Sequence, residues 1–224
     1  MLDDGQVSAH YNQLADEYDR LKAKSAYYHA ALIDSLIEIV PPGGRVLEVG
    51  CATGDILAAL KPVDGVGVDL SAPMIDRARQ KYPQLTFRVA DITRGPLDHT
   101  FDYVVSVNVM EHVPDLTAAT RAMAAMLAPG GVMLNLTPHP AWASPFYVAE
   151  RFNLKVPEGW HRWRSRRDLV QVGLDAGLVL RFFDRDFLVP RELPILSRLN
   201  RAGWARPLRS RLGVIQRVVF DAPK

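Results

Sequence analysis

The chain has 224 residues, 48% hydrophobic and 23% charged, with a formal net charge of +2. That mix can bury a core unaided, and it excludes disordered, collagen-like and disulfide-scaffold chains. A single cysteine, Cys51, excludes an intrachain disulfide and a multi-cysteine zinc site.

Apolar runs such as Ala122 to Ala128 are too short to span a bilayer. The opening MLDDGQVSAH has neither the basic start nor the apolar stretch of a signal peptide. A cytoplasmic protein is the expectation. The near-neutral total hides an asymmetry. Residues 1–140 hold 11 Lys/Arg against 17 Asp/Glu; residues 141–224 hold 16 against 8, with all four tryptophans. A basic, Trp-bearing half suits an anionic substrate, a membrane surface or nucleic acid. The plainer reading is arginines in water on ordinary helices.

In chain order, residues 7–22 read as one helix with Leu14, Tyr18 and Leu21 on a common face. Residues 26–40 read as a second, closed by Pro41-Pro42-Gly43-Gly44. A regular alternation follows. Strands are expected at 45–49, 65–70, 85–90, 101–107 and 132–136, with helices from 54 to 60, 72 to 81 and 116 to 127. Several of these strands are near-continuous apolar runs, which means a parallel sheet covered on both faces. Beyond 140 the pattern weakens. A Trp-, Pro- and Arg-rich loop with a short helix precedes a helix at 166–176, a strand at 178–183, a broken helical stretch at 190–212 and a last strand at 214–220. One domain with an insertion before its final strand fits this pattern.

The most informative segment is Val46-Leu-Glu-Val-Gly-Cys-Ala-Thr-Gly54. Its small residues after a strand permit a tight turn and close ligand approach. The spacing is G-x-A-x-G, not the G-x-G-x-x-G of a dinucleotide site. Asp55 opens the following helix, where it would repel a pyrophosphate, and Glu48 brings a second acid to the turn. A cationic ligand without phosphates fits better. Further acids, Asp69 and Asp91, end the next two strands. Asp69 can accept from both hydroxyls of a ribose. Asp91 can accept from an adenine amino group, with Ile92 and Met74 sandwiching the ring.

These segments, with VGVDLS ending at Ser71, Ala90-Asp91-Ile92, FDYVVSVNVMEHV (101–113), LAPGGVMLNL (127–136) and the lead-in HYNQLADEYD (10–19), resemble the class I S-adenosylmethionine (AdoMet)-dependent methyltransferases. The resemblance implies an α/β, Rossmann-like sheet of seven mostly parallel strands, helices on both faces and the last strand antiparallel. It implies AdoMet as cofactor, S-adenosylhomocysteine (AdoHcy) as product, and cofactor contacts from Tyr18, Glu48, Gly50, Ala52, Gly54, Asp69, Leu70, Met74, Asp91, Ile92 and Asn108. Ala52 stands where many members have glycine, which is tolerated if its φ is negative.

His112 is the candidate base; the alternative is that it caps the next helix or packs at the sheet edge. Quinone-pathway O-methyltransferases show a similar E-x-x-E-H stretch that can hold a metal. Asn108 replaces its first acid here, so no metal is expected. His139 and Trp160-His161-Arg162-Trp163 are further candidates, the latter as a lid or as a packed aromatic corner. Cys51 reads as a small turn residue. Tyr11 and Tyr18 close over the cofactor or pack in the core. More loosely, the C-terminal part is similar to bacterial methyltransferases found beside glycosyltransferases. Residues 188–213 mix apolar side chains with six arginines and one acid, Glu192. That mix suits peripheral contact with an anionic bilayer, a phosphate-bearing or lipid-linked substrate, or simple packing on the sheet. A nucleic-acid partner is not expected. Three functions stand: methyl transfer to a small or lipid-linked acceptor; a quinone-pathway or natural-product O- or C-methyltransferase; and a non-catalytic binding protein on the same fold.

Overall fold

The computed structural model describes residues 4–152, 154, 156, 159, 162–190, 200 and 202–224. Three helices lead in: α1 (Asp4–Leu14), α2 (Tyr18–Ala23) and α3 (Ala26–Ile37). The single helix expected over 7–22 is therefore two. Ala15 is buried at the break, and polar contacts tie the chain that follows it to the rest of the molecule. Asp16 pairs with Arg77 (2.6 Å), and Asp19 accepts from Thr53 (2.8 Å) and Lys81 (2.8 Å).

The sheet then builds from β1 (Arg45–Val49), β2 (Asp64–Asp69), β3 (Thr86–Val89), β4 (Phe101–Val107), β5 (Leu127–Pro138), β6 (Val179–Asp186) and β7 (Ile215–Asp221). Their spatial order is β3-β2-β1-β4-β5-β7-β6. β7 runs antiparallel to both β5 and β6, and the other pairings are parallel. This is the expected seven-stranded sheet. β5 is longer than expected. Leu127 already pairs with Phe101, and Pro129-Gly130-Gly131 is an irregularity within the strand, before Val132 meets Tyr103.

The helices between are α4 (Asp55–Ala59), α5 (Ala72–Lys81), α6 (Leu116–Ala125), α7 (Ala143–Arg151), α8 (Arg166–Asp175) and α9 (Arg206–Leu212). Two apolar layers sandwich the sheet. Leu32 and Leu36 of α3, Leu57 of α4 and Ile75 of α5 pack on one face. Leu116 and Met123 of α6 and Leu169 of α8 pack on the other. The near-continuous apolar strands follow from this double coverage. Ser71 caps α5, Asp115 caps α6, and a Ser165–Asp168 capping box starts α8. No helix among the described residues is long and apolar enough to cross a membrane.

Strand order reverses between β1 and β4, and ligands of open α/β sheets sit outside the carboxyl ends at such a point. A test of the packing lies elsewhere. A Cβ on Gly173 of α8 would come 2.2 Å from the Phe220 ring of β7. Gly173→Ala is therefore expected to cost about 1–3 kcal/mol of stability, read from the urea midpoint.

Candidate active site

The turn after β1 is built by the end of β2. Val68 O accepts from the N–H groups of Gly50 (2.7 Å) and Cys51 (3.0 Å). The Asp69 carboxylate accepts from Ala52 N–H (2.9 Å) and Ser71 N–H (2.9 Å). Three successive amides thus point at one strand end. Doing so requires left-handed backbone at Gly50 (φ +74°), Ala52 (φ +44°) and Gly54 (φ +82°). The condition that Ala52 keep a negative φ is not met. Alanine sits in a region that favours glycine, held there by its bond to Asp69. Gly50 is required twice over, because a Cβ there would fall 2.2 Å from Val109 Cγ2.

Glu48 is buried beneath this turn, 1% exposed, and its Oε2 accepts from Leu57 N–H of α4 (2.9 Å). Burial pushes its pKa up to about 8; the Leu57 amide and Lys22 pull the other way. Lys22 of α2 faces the same space. Burial, then neighbouring Lys81, brings its pKa down to about 8 against the pull of Asp19 and Glu48. Burial also raises the Asp69 pKa, opposed by its amide donors. Asp55 is not the bare repelling charge that the sequence suggests. It pairs with Lys22 and with Lys81 (2.8 Å), and accepts from Tyr82 Oη (2.6 Å). Glu48 and Asp69 are the carboxyl groups beneath the turn that burial holds toward the neutral form.

A cavity opens above these groups. Of the expected cofactor residues, Tyr18, Glu48, Gly50, Ala52, Asp69, Leu70, Asp91, Ile92 and Asn108 line it, as does His112. Gly54 and Met74 do not. Gly54 lies against the Phe87 ring, where a Cβ would approach to 2.7 Å, and Met74 is fully buried in the core. Asp91 accepts from Thr93 N–H (2.9 Å) and Oγ1 (2.6 Å) and pairs with Arg94 (3.1 Å), which fixes its carboxylate at the rim.

The wall opposite is the loop after β4. Asn108 has φ +53° and donates through Nδ2 to Tyr28 Oη (3.2 Å). His112 Nε2 lies 3.2 Å from Tyr11 Oη, their rings edge-to-face at 5.8 Å. The next helix is capped by Asp115, whose Oδ1 accepts from Ala118 N–H (2.9 Å), so His112 is not its cap. Glu111 turns away from the cavity and accepts from Thr137 Oγ1 of β5 (2.8 Å). With Asn108 in place of an acid and Glu111 facing the sheet, the E-x-x-E-H pattern does not bring its carboxylates together. Among the described residues no cluster of three His, Cys, Asp or Glu could hold a metal.

Of the remaining candidates Cys51 lines the cavity, and the others fall outside it or outside the described residues. His139 caps a turn, its Nδ1 accepting from Ala141 N–H (3.2 Å). Burial, then Arg185, lowers its pKa. Burial, with Glu48 and Asp69 nearby, pushes the Cys51 thiol up, which suits a small turn residue and not a thiolate. Trp160 and His161 lie outside the described residues. Trp163 packs against Phe146 at 6.3 Å between ring centroids, and Trp142 against the same ring at 6.4 Å. Leu193, Ile195, Leu196 and Leu199, with Arg191, Glu192, Arg198 and Arg201, also lie outside. Arg209 pairs with Asp186 (3.4 Å), whereas Trp204 is 76% exposed.

Sequence reasoning missed Lys22 and His29, which also line the cavity. Lys22 reaches it from α2, the second piece of the lead-in. His29, a polar residue within the apolar pattern of α3, carried a visible signal.

An apolar cavity at the strand ends, acids along one wall and an imidazole on the other are the layout of an AdoMet-binding Rossmann-like enzyme. A family model described as a methyltransferase domain matches residues 20–181. The chain belongs to this family, within the class I AdoMet-dependent methyltransferases. It is 33% identical over 136 residues to a ubiquinone biosynthesis O-methyltransferase of Xanthomonas campestris pv. campestris (strain B100), covering 55% of this chain and 56% of that one. A protein of the same name from Neisseria meningitidis serogroup C (strain 053442) is 32% identical over 154 residues, covering 61% and 64%. The chain thus spans little more than half the length of these relatives. Among solved structures, an AdoMet-dependent methyltransferase of Thermotoga maritima superposes with TM-score 0.73 at 18% identity, covering 96% of this chain and 99% of that one. Magnesium protoporphyrin IX methyltransferase of Synechocystis PCC 6803, with bound AdoHcy, gives 0.70 at 16%, covering 98% and 99%. These two likenesses concern the fold.

Two predictions follow from the turn. Ala52→Gly relieves the left-handed alanine and is expected to raise stability by about 1 kcal/mol, seen as a higher Tm; an unchanged or lower Tm contradicts the strain. The second concerns Glu48. Its raised pKa means that ligand-free protein loses stability as pH climbs from the ordinary 4.5 toward about 8. A ligand amino cation favours the carboxylate and drives the proton off. AdoHcy affinity is therefore expected to tighten from pH 6 to 8 by up to about tenfold per unit, and to flatten in Glu48→Gln. An equally steep profile in that variant assigns the proton elsewhere.

Proposed function

We propose that this chain transfers a methyl group from AdoMet to a small-molecule or lipid-linked acceptor. The observation that carries the reading is the cavity itself: Glu48, Asp69 and Asp91 follow one another along one wall and His112 faces them. When bound, AdoMet supplies a methyl group already activated on a sulfonium. The protein's part is then alignment and exclusion of water.

Glu48 and the Gly50–Ala52 turn would hold the methionine end. Asp69 keeps acceptor capacity for a ribose diol beyond its two amide bonds. Asp91 would meet the adenine edge, with Leu70 and Ile92 on the ring. Tyr18 and Tyr11 close the cavity from the lead-in helices. His112 stands where it can take a proton from an acceptor hydroxyl or amine, and Tyr11 Oη orients its ring.

A quinone-pathway O-methyltransferase is the more specific form of this reading, favoured by the identity to the two ubiquinone biosynthesis relatives. The reaction would proceed without the metal of the E-x-x-E-H pattern, since its carboxylates are not assembled here.

The test uses radiolabelled-methyl AdoMet with small-molecule extract from cells lacking the gene. Wild-type protein is expected to label a low-molecular-weight species. His112→Ala should lower the rate by about 10²–10⁴ while AdoHcy still binds, and Asp69→Ala should lose both. Label transfer that survives in Asp69→Ala overturns the role given to Asp69; binding of a partner with no transfer at all supports a non-catalytic scaffold instead.

A further inference from the structure

The loop that carries His112 has no regular structure of its own, yet four of its carbonyls are held by one short segment. Arg164 Nε donates to Met110 O (3.0 Å), and a second nitrogen of its guanidinium donates to Val113 O. Arg162 N–H donates to Glu111 O (2.8 Å), and its Nη1 to Pro114 O (3.0 Å). The carbonyls on both sides of His112 are therefore gripped from residues 162–164. The grip has a rigid base. Gln216 of β7, 1% exposed, donates through Nε2 to Arg164 O (3.0 Å) and to Pro138 O (3.3 Å).

We propose that Arg164 is the positioning residue of this site: with its main chain anchored through Gln216 to the sheet, its guanidinium fixes the loop after β4 so that His112 meets Tyr11 and faces the cavity. The choice of arginine follows from geometry. A planar fork spans two carbonyls three residues apart, whereas an ammonium is a single point charge. A half-buried guanidinium is costly to place, and the cost is offset only when its donors are met; here they end on the loop. The segment also joins the site to the insertion, because Trp163, between the two arginines, packs on Phe146 of α7.

The inference rests on the assignment of His112 as the proton-handling group, and its test separates the two. In AdoHcy-saturated protein labelled with ¹⁵N-histidine, Tyr11→Phe is expected to shift the His112 Nε2 resonance. In an Arg164→Met background the same replacement should shift it by less than a third as much, with AdoHcy affinity held within threefold. Arg164→Lys should recover part of the coupling, and it carries the comparison if Arg164→Met no longer binds AdoHcy. In the label-transfer assay, kcat should fall about tenfold or more in Arg164→Met with KM for AdoMet little changed. Full Tyr11–His112 coupling in both Arg164 variants overturns the positioning role. Undiminished transfer by His112→Ala overturns the assignment of His112 and leaves the coupling result standing.

Discussion

The site depends on where three consecutive amides point. Gly50, Cys51 and Ala52 direct their N–H groups to Val68 O and the Asp69 carboxylate at the end of β2. In a dinucleotide site, amides at the end of the first strand and at the following helix face a pyrophosphate. Here these donors are already spent on the protein, and Leu57 N–H of the helix is spent on Glu48. What the turn offers a ligand is acceptor oxygen in dry surroundings. Such a surface selects a cation with hydroxyls, which is the chemistry of a sulfonium amino acid joined to a nucleoside.

That constraint propagates outward. A left-handed turn brings β1 against the loop after β4, so closely that only glycine fits at position 50. The loop in turn is fixed by Arg162 and Arg164, and the lead-in helices close over both through Asp16, Asp19 and Lys22. Most of these outer contacts are ionic or polar. The inner ones are buried hydrogen bonds of the turn to the ends of β1 and β2, set on the apolar core, so the cavity has a firm floor and a polar-latched cover.

Much of this was legible in the chain. The strand-helix alternation located the inner strands β1, β2 and β4 to within a residue or so, because two-sided burial writes an apolar run into each, whereas the edge strands β3 and β6 are largely uncovered. Glu48, Asp69 and Asp91 were legible because each lies at or beside a strand's carboxyl end at a repeat of about twenty residues. Four things were not. The break at 15–17, beside which Asp16 and Asp19 meet α5, is encoded by no local pattern. The burial of Lys22 and the left-handed φ of Ala52 are set by tertiary partners, Asp55 and Asp69. The clamp by Arg164 joins residues more than fifty positions apart, and in sequence it looks like one more arginine in a basic half. Met74 illustrates the opposite error: a side chain at the right spacing for the cavity faces the core instead.

The basic C-terminal half resolves into several different uses. Arg217 is tied to Asp184 (2.7 Å) and Glu38 (2.9 Å), and Arg164 to backbone carbonyls. Its net charge therefore says less about a partner than the count suggests. The central claim concerns ligand class, and isothermal titration calorimetry addresses it most directly. The account predicts a one-to-one isotherm with AdoHcy and no heat of binding with NAD at the same concentrations. An isotherm with NAD and none with AdoHcy would contradict it.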